Sequence, residues 1–270
     1  MKKIASILSI FAISAASYAH DGSFPTDSIT NPSLSNLSVS ASVEYTTAYM
    51  FRGDKLAGHS IQPNIELSYE ILGFDAYAGA WMNEPLKDKK NKSTGELENL
   101  EEVDFYAGLN YSLSIFVFDV GYQYYWYPSD HDGKCYDSEI YAGITIDTTD
   151  LLFGFNISPS VYYYYNFQLE THNIEASISY EFPIGAYIGL NNLTLPLSAN
   201  CAYIKSETSD FGHYMYWGAT ADLAYAITPN ISISGGIRYC DRFEEKDCAD
   251  YFYREKSDHV WYGAKLSIEF

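Results

Sequence analysis

The chain is short of basic residues and cysteines, and past its first twenty residues it has no long apolar run. Only 16 lysines and arginines stand against 35 aspartates and glutamates, a formal charge of -19 over 270 residues. So acidic a chain is a poor partner for DNA, RNA or anionic headgroups. Four cysteines without CxxC or Cys/His spacing give no zinc signature, and nothing calls for a resident metal or cofactor. A spanning helix needs about 20 apolar residues in a row, and no segment beyond the leader offers them. What is abundant is tyrosine, 27 residues, with 18 glycines and 47% hydrophobic residues. That mixture suits many strands whose two faces differ in polarity.

The first residues have the layout of an export signal. Two lysines at Lys2 and Lys3, an apolar stretch from Ile4 to Ala16, and the small-x-small triplet Ser17-Tyr18-Ala19 predict a signal peptide over 1–19. Its removal takes the 16 basic residues to 14 against 35 acidic, a charge of -21. A polar lead follows over 20–36, and 37–270 forms the body without an internal linker. In an oxidising compartment Cys135, Cys201, Cys240 and Cys248 can form disulfides, and the nearest pair, Cys240 and Cys248, would close the acidic loop Asp241 to Asp247.

The body alternates with period two. Leu37, Val39, Ala41, Val43 and Tyr45 interleave with Ser38, Ser40, Ser42, Glu44 and Thr46, and the pattern recurs from Ile61 to Tyr69 and from Val103 to Tyr111. Further segments are Phe74 to Met82, Phe116 to Trp126, Glu139 to Asp147, Phe153 to Tyr165, Ile174 to Phe182, Leu193 to Tyr203, Tyr216 to Ile227, Ile231 to Tyr239 and Val260 to Phe270. Each is about ten residues, the length of a transmembrane strand. Turn-sized connections such as Leu72-Gly73 and Thr228-Pro229-Asn230 alternate with long polar ones such as Arg52 to Ser60, Pro85 to Glu101 and Asp241 to Asp258. The exception is Pro183 to Asn192, where Ala186 to Leu190 suggests an extra short strand segment. The expected fold is all-β: a transmembrane antiparallel up-and-down β-barrel of about twelve strands in a bacterial outer membrane. It must close, because in lipid every backbone N–H and C=O needs a partner within the protein. The alternating C-terminus ending on Phe270 resembles the signal read by the barrel-assembly machinery.

On the polar parity fall Glu44, Glu66, Asp104, Asp119, Glu139, Glu175 and Asp222, facing Arg52, Arg238 and Lys265. An acidic wet lumen attracts cations and repels anions. The expected function is therefore passive diffusion of small hydrophilic solutes with a preference for cations, and these ten residues are the candidate pore lining. Arg52, followed by Gly53 for a turn, is placed to bind a luminal carboxylate such as Glu66 or Asp104. Tyrosines cluster at strand ends as an interfacial girdle, while Tyr125, Tyr162 and Tyr164 turn inward. The rival reading is a non-conducting barrel whose long loops bind a surface ligand or partner. An outer-membrane lipase is a distant third: the one adjacent His/Ser pair, His59-Ser60, sits in a loop, and Gly-x-Ser-x-Gly is absent. Asp130-His131-Asp132-Gly133 has an oxygen-rich look but lacks the later ligands of a calcium loop.

Tyr49-Met50-Phe51-Arg52-Gly53, Glu102 to Gly108, Gly121 to Pro128 and Glu139-Ile140-Tyr141-Ala142-Gly143 together resemble the TorF family of Gram-negative proteins assigned as porins. The likeness covers about the first half of the exported chain. It implies an outer-membrane barrel of pore function and leaves the solute open. The four cysteines and the Lys/Glu-rich insertion from Lys87 to Glu102 depart from that pattern.

Overall fold

The computed structural model describes residues 36–87, 101–128, 136–149, 151, 156–208, 213–244 and 258–270. The signal peptide, nearly all of the lead, most of the 87–102 insertion, Asp130 to Gly133 and the Cys240–Cys248 pairing lie outside these residues, the last because Cys248 does.

The strands are β1 (Leu37–Thr46), β2 (Tyr49–Phe51), β3 (Asp54–Ala57), β4 (Ser60–Ile71), β5 (Phe74–Pro85), β6 (Glu102–Leu113), β7 (Phe116–Trp126), β8 (Tyr136–Ile146), β9 (Ser160–Asn166), β10 (Thr171–Phe182), β11 (Leu193–Ser206), β12 (His213–Thr228), β13 (Ile231–Glu244) and β14 (Asp258–Glu269). All but β2 and β3 pair in sequence order into a closed twelve-stranded antiparallel barrel. The seam is β1 against β14, from Ser40 opposite Glu269 to Thr46 opposite Gly263. Closure leaves the wall no unpaired edge, as spanning a bilayer requires.

Alternation decides which residues meet lipid. Ile65, Leu67, Phe105, Val120, Ile174 and Ile178 stand about half exposed on the outer wall. Aromatic rings band it at both ends: Tyr122, Trp126 and Trp217 on the side of the long loops, Phe74 tilted against Tyr111 (4.9 Å) and Phe182 stacked on Tyr187 (5.5 Å) on the other. That is the girdle arrangement of membrane barrels. The turn Leu72-Gly73 has both φ angles positive, 56° and 80°, the two-residue hairpin form whose twist matches the strands it joins.

Two expectations need correction. Between Pro183 and Asn192 the chain forms a short helix, α1 (Ile184–Ile188), with Gly189 at φ 78° ending it, so the apolar run adds no strand. Of the strand expected over Phe153 to Tyr165, 153–155 lie outside the described residues, 156–159 are irregular, with Asn156 Oδ1 accepting from the backbone N–H groups of Thr148 and Ser158, and β9 runs from Ser160.

Inside, several tyrosine rings lie flat over a glycine directly opposite on the next strand. Tyr77 faces Gly108, Tyr141 faces Gly121 and Tyr162 faces Gly143. A Cβ on Gly143 would stand 2.3 Å from the Tyr162 ring, so only glycine permits this contact. Gly143→Leu should destabilise the barrel by about 1–3 kcal/mol through overpacking. The same change at the neighbouring, lipid-facing Ala142 should be tolerated. Urea midpoints of the refolded proteins, followed by the gel shift between folded and heated barrel, would separate the two.

Candidate functional site

The luminal wall is built from tyrosine–carboxylate pairs. Asp119 on β7 accepts from Tyr77 (2.7 Å) and Tyr162 (3.1 Å), and the Tyr77 and Tyr141 hydroxyls lie 2.6 Å apart. Tyr106 donates to Glu66 at 3.0 Å, Gln123 to Asp104 at 3.1 Å and Asn200 to Glu175 at 3.1 Å. On the opposite side Arg238 lies 3.1 Å from Glu44 and 3.3 Å from Asp222, while Lys265 faces Glu44 across the β1–β14 seam. The wall residues expected to point inward thus all do. Most are buried in hydrogen bonds: Asp104 is 0% exposed and Glu139 1%. Tyr125, Tyr162 and Tyr164 are inward and buried as well. Just past β7, burial above all, then Glu102 and Asp137, push the Tyr127 phenol above its ordinary value, so it remains a neutral donor to Asp137 at 3.2 Å.

Sequence reasoning missed the feature at the centre of this lumen. The connection from β1 to β4 contains the hairpin β2–β3, which pairs only with itself and turns at Arg52-Gly53 with φ angles of 48° and 87°. It fills the lumen on the side of the long loops. Tyr49 donates to Glu102 at 2.9 Å and packs near Trp81, and Phe51 meets Tyr125. Arg52 binds Glu139 with two hydrogen bonds, 2.8 and 2.7 Å, and lies over the Tyr164 ring. The Arg52 partner is therefore Glu139, and neither Glu66 nor Asp104. On the other flank Asp54 accepts from Arg242 at 2.6 Å, and Gly53 packs so close that a Cβ there would stand 2.9 Å from the Cβ of Tyr216.

Wall order makes this geometry decisive. Counted from β1, β8 is the sixth and β9 the seventh of twelve wall strands, so the tip of a hairpin anchored at β1 and β4 touches the opposite wall. Its flanks touch β6 and β7 on one side and β12 and β13 on the other. An arginine in left-handed conformation is strained, and it persists because the two-pronged Glu139 contact and the surrounding rings fix it.

The lumen accordingly has two halves. Around the hairpin Thr46, Ser60, Gln62, Asn83 and Glu102 are essentially inaccessible to solvent. Toward the short turns the lining is half-buried and hydroxyl-rich, with Ser40, Ser42, Ser177, Ser232, Ser234 and Ser267. Asp75, Glu181, Asp222 and Glu269 lie in this wet cup with Lys265. Asp75, Glu102, Glu181, Arg242 and Glu269 continue the inward parity and could have been read from it, whereas Asp54 and the hairpin partners of Glu102 and Arg242 come only from the fold. Among the described residues Asn173, 2% exposed beside the hairpin level, has neither side-chain polar atom bonded. His59 and Ser60 hold different partners, Tyr45 and the Gly58 carbonyl, and share no hydrogen bond with each other.

A closed antiparallel barrel with an apolar belt, aromatic girdles and a polar interior is a transmembrane barrel of the outer-membrane type. The chain belongs to a family of bacterial proteins of unknown function, Gcw_chp, whose profile matches residues 31–226. Among solved structures it is similar to the COG4313 outer membrane channel from Pseudomonas putida F1, at TM-score 0.53 and 8% identity over 91% of this chain and 100% of that one. It is also similar to the NanC porin, at TM-score 0.50 and 11% identity over 85% and 98%. At these identities the likeness is one of fold. No curated protein matches the sequence.

Proposed function

We propose that the protein is an outer-membrane channel for passive diffusion of small hydrophilic solutes, closed at rest by its own first-loop hairpin and preferring cations when open. The observation that carries this reading is the hairpin itself: it spans the lumen above a water-accessible cup. A barrel built only as a scaffold for loops has no use for such a cup. Likeness of fold to a solved channel and a porin supports it, as does the resemblance to TorF porins, whose quoted motifs include the hairpin segment Tyr49 to Gly53. The tight packing around β2–β3 favours one alternative, a permanently plugged barrel that works through its outer loops.

Cation preference follows from the cup. Asp75, Glu181 and Glu269 outnumber Lys265 along the wet wall, Asp222 being paired with Arg238, and like-signed linings set the sign of the permeant ion. Glu66 and Asp104 contribute less, because hydrogen bonds hold them inside the wall. Under a potassium chloride gradient, openings should reverse on the cation-selective side. Asp75→Asn with Glu181→Gln should move that reversal potential toward zero without changing folding. Anion-selective openings would sink the preference, and a reversal potential unmoved by the double variant would remove the cup as its source.

A further inference from the structure

The outer wall carries one feature that a channel does not need. At the long-loop end of β9 to β12 a row of side chains runs across neighbouring strands: Tyr165 opposite His172, His172 opposite Lys205, Lys205 opposite His213. Below the row lies a groove of about 280 Å³ lined by Tyr163, His172, Ile174, Tyr203 and Lys205. Among the described residues Lys205 is the one lysine or arginine that points outward from a wall strand. His172 is held in place from both sides, by the Tyr163 hydroxyl at 2.6 Å and by Glu207 at 2.7 Å.

We propose that this groove is a docking site for a phosphorylated glycolipid of the outer leaflet. The phosphate meets the Lys205 ammonium between the two imidazoles, and an acyl chain lies over Ile174 and between the Tyr163 and Tyr203 rings. Charge complementarity carries the choice of occupant. The chain as a whole repels anions, so an isolated cation above an apolar groove on the lipid-facing wall marks a place where one anionic headgroup is accepted. The height on the barrel fits too, since the row stands at the rim where headgroups lie while Ile174 and Tyr203 belong to the lipid-facing parity. Two carboxylates stand at the rim, Glu207 just past the end of β11 and Glu170 before β10, but Glu207 is engaged with His172 at 2.7 Å and neither lines the groove.

The inference rests on the outer-membrane placement and not on conduction, so a silent barrel leaves it standing. The test is native mass spectrometry of the full-length folded protein with bisphosphorylated lipid A, its dephosphorylated form or phosphatidylglycerol, and with inorganic phosphate as competitor. Retention of one bisphosphorylated molecule per barrel is expected, unaffected by free phosphate. Lys205→Glu should lower that retention about fivefold or more, the effect of a lost surface cation and a gained repulsion. Lys205 is exposed, so the variant should fold, and Lys205→Gln replaces it if it does not. Equal retention of the dephosphorylated lipid, equal retention of phosphatidylglycerol, displacement by inorganic phosphate, or no loss in the variants would each overturn the assignment.

Discussion

Arg52→Ala should turn a mostly closed barrel into a mostly open one. In the closed state Arg52 meets Glu139 at 2.7 Å, with their side chains 13% and 1% exposed. Removing one partner of a buried ion pair leaves the other charge uncompensated, at a cost of about 3–5 kcal/mol. The open state bears none of that cost, because a withdrawn hairpin lets water reach Glu139. The closed-to-open ratio should therefore fall by about 150-fold to about 5,000-fold. Strain relief adds in the same direction, since position 52 has φ 48° and the two-pronged contact that holds it there is gone. Single-channel records read this as dwell time: rare openings in the unaltered protein, long ones in the variant. Glu139→Gln should be milder, because an amide still accepts one hydrogen bond from the guanidinium. Equal open probabilities in all three proteins would mean that this pair does not hold the hairpin.

Arg238→Met should produce the largest loss of stability. Arg238 is 3% exposed and sits between Glu44 on β1 and Asp222 on β12, two carboxylates drawn together across the barrel seam. Without it Lys265, opposite Glu44, is left to balance both. A cost of about 3–5 kcal/mol is expected from an unpaired buried charge. It would be read as a lowered urea midpoint and a folded band lost at lower temperature on gels. The triple variant Arg238→Met with Glu44→Gln and Asp222→Asn should recover much of the loss, since it removes the charges along with their partner. A single variant as stable as the unaltered protein, or a triple variant no better than the single, would show that the cluster does not work by charge compensation.

The wall was legible in the sequence because period two is a local signal. Val43 and Glu44, or Phe105 and Asp104, differ in face by adjacency alone, and twelve segments with that alternation are enough for a barrel. The luminal carboxylates came from the same parity. What lay beyond reach was long-range. Nothing near Arg52 in the chain points to Glu139, and strands of three and four residues, β2 and β3, are too short to register as alternation. Arg52 to Ser60 therefore read as an outer loop when most of it lies inside. Ala186 to Leu190 misled for the opposite reason: its apolar residues suit a strand, but Pro183 and Gly189 bracket a single short helix. The sequence shows the tyrosines as a girdle with a few rings turned inward, and their further use, lying over glycine to bond Asp119, depends on register between strands.

The central claim is that β2–β3 is a gate in a conducting barrel. Thr46 and Ser60 are direct partners across β1 and β4, so residues 47–59 can be replaced by an Asn-Gly hairpin turn without disturbing the wall. Conductance of the intact and the excised barrel, both refolded and inserted into the same planar bilayers under a salt gradient, tests it most directly. Brief, rare steps from the intact protein and sustained, larger, cation-selective steps from the excised one are expected. Identical records from the two, whether silent or open, would contradict it.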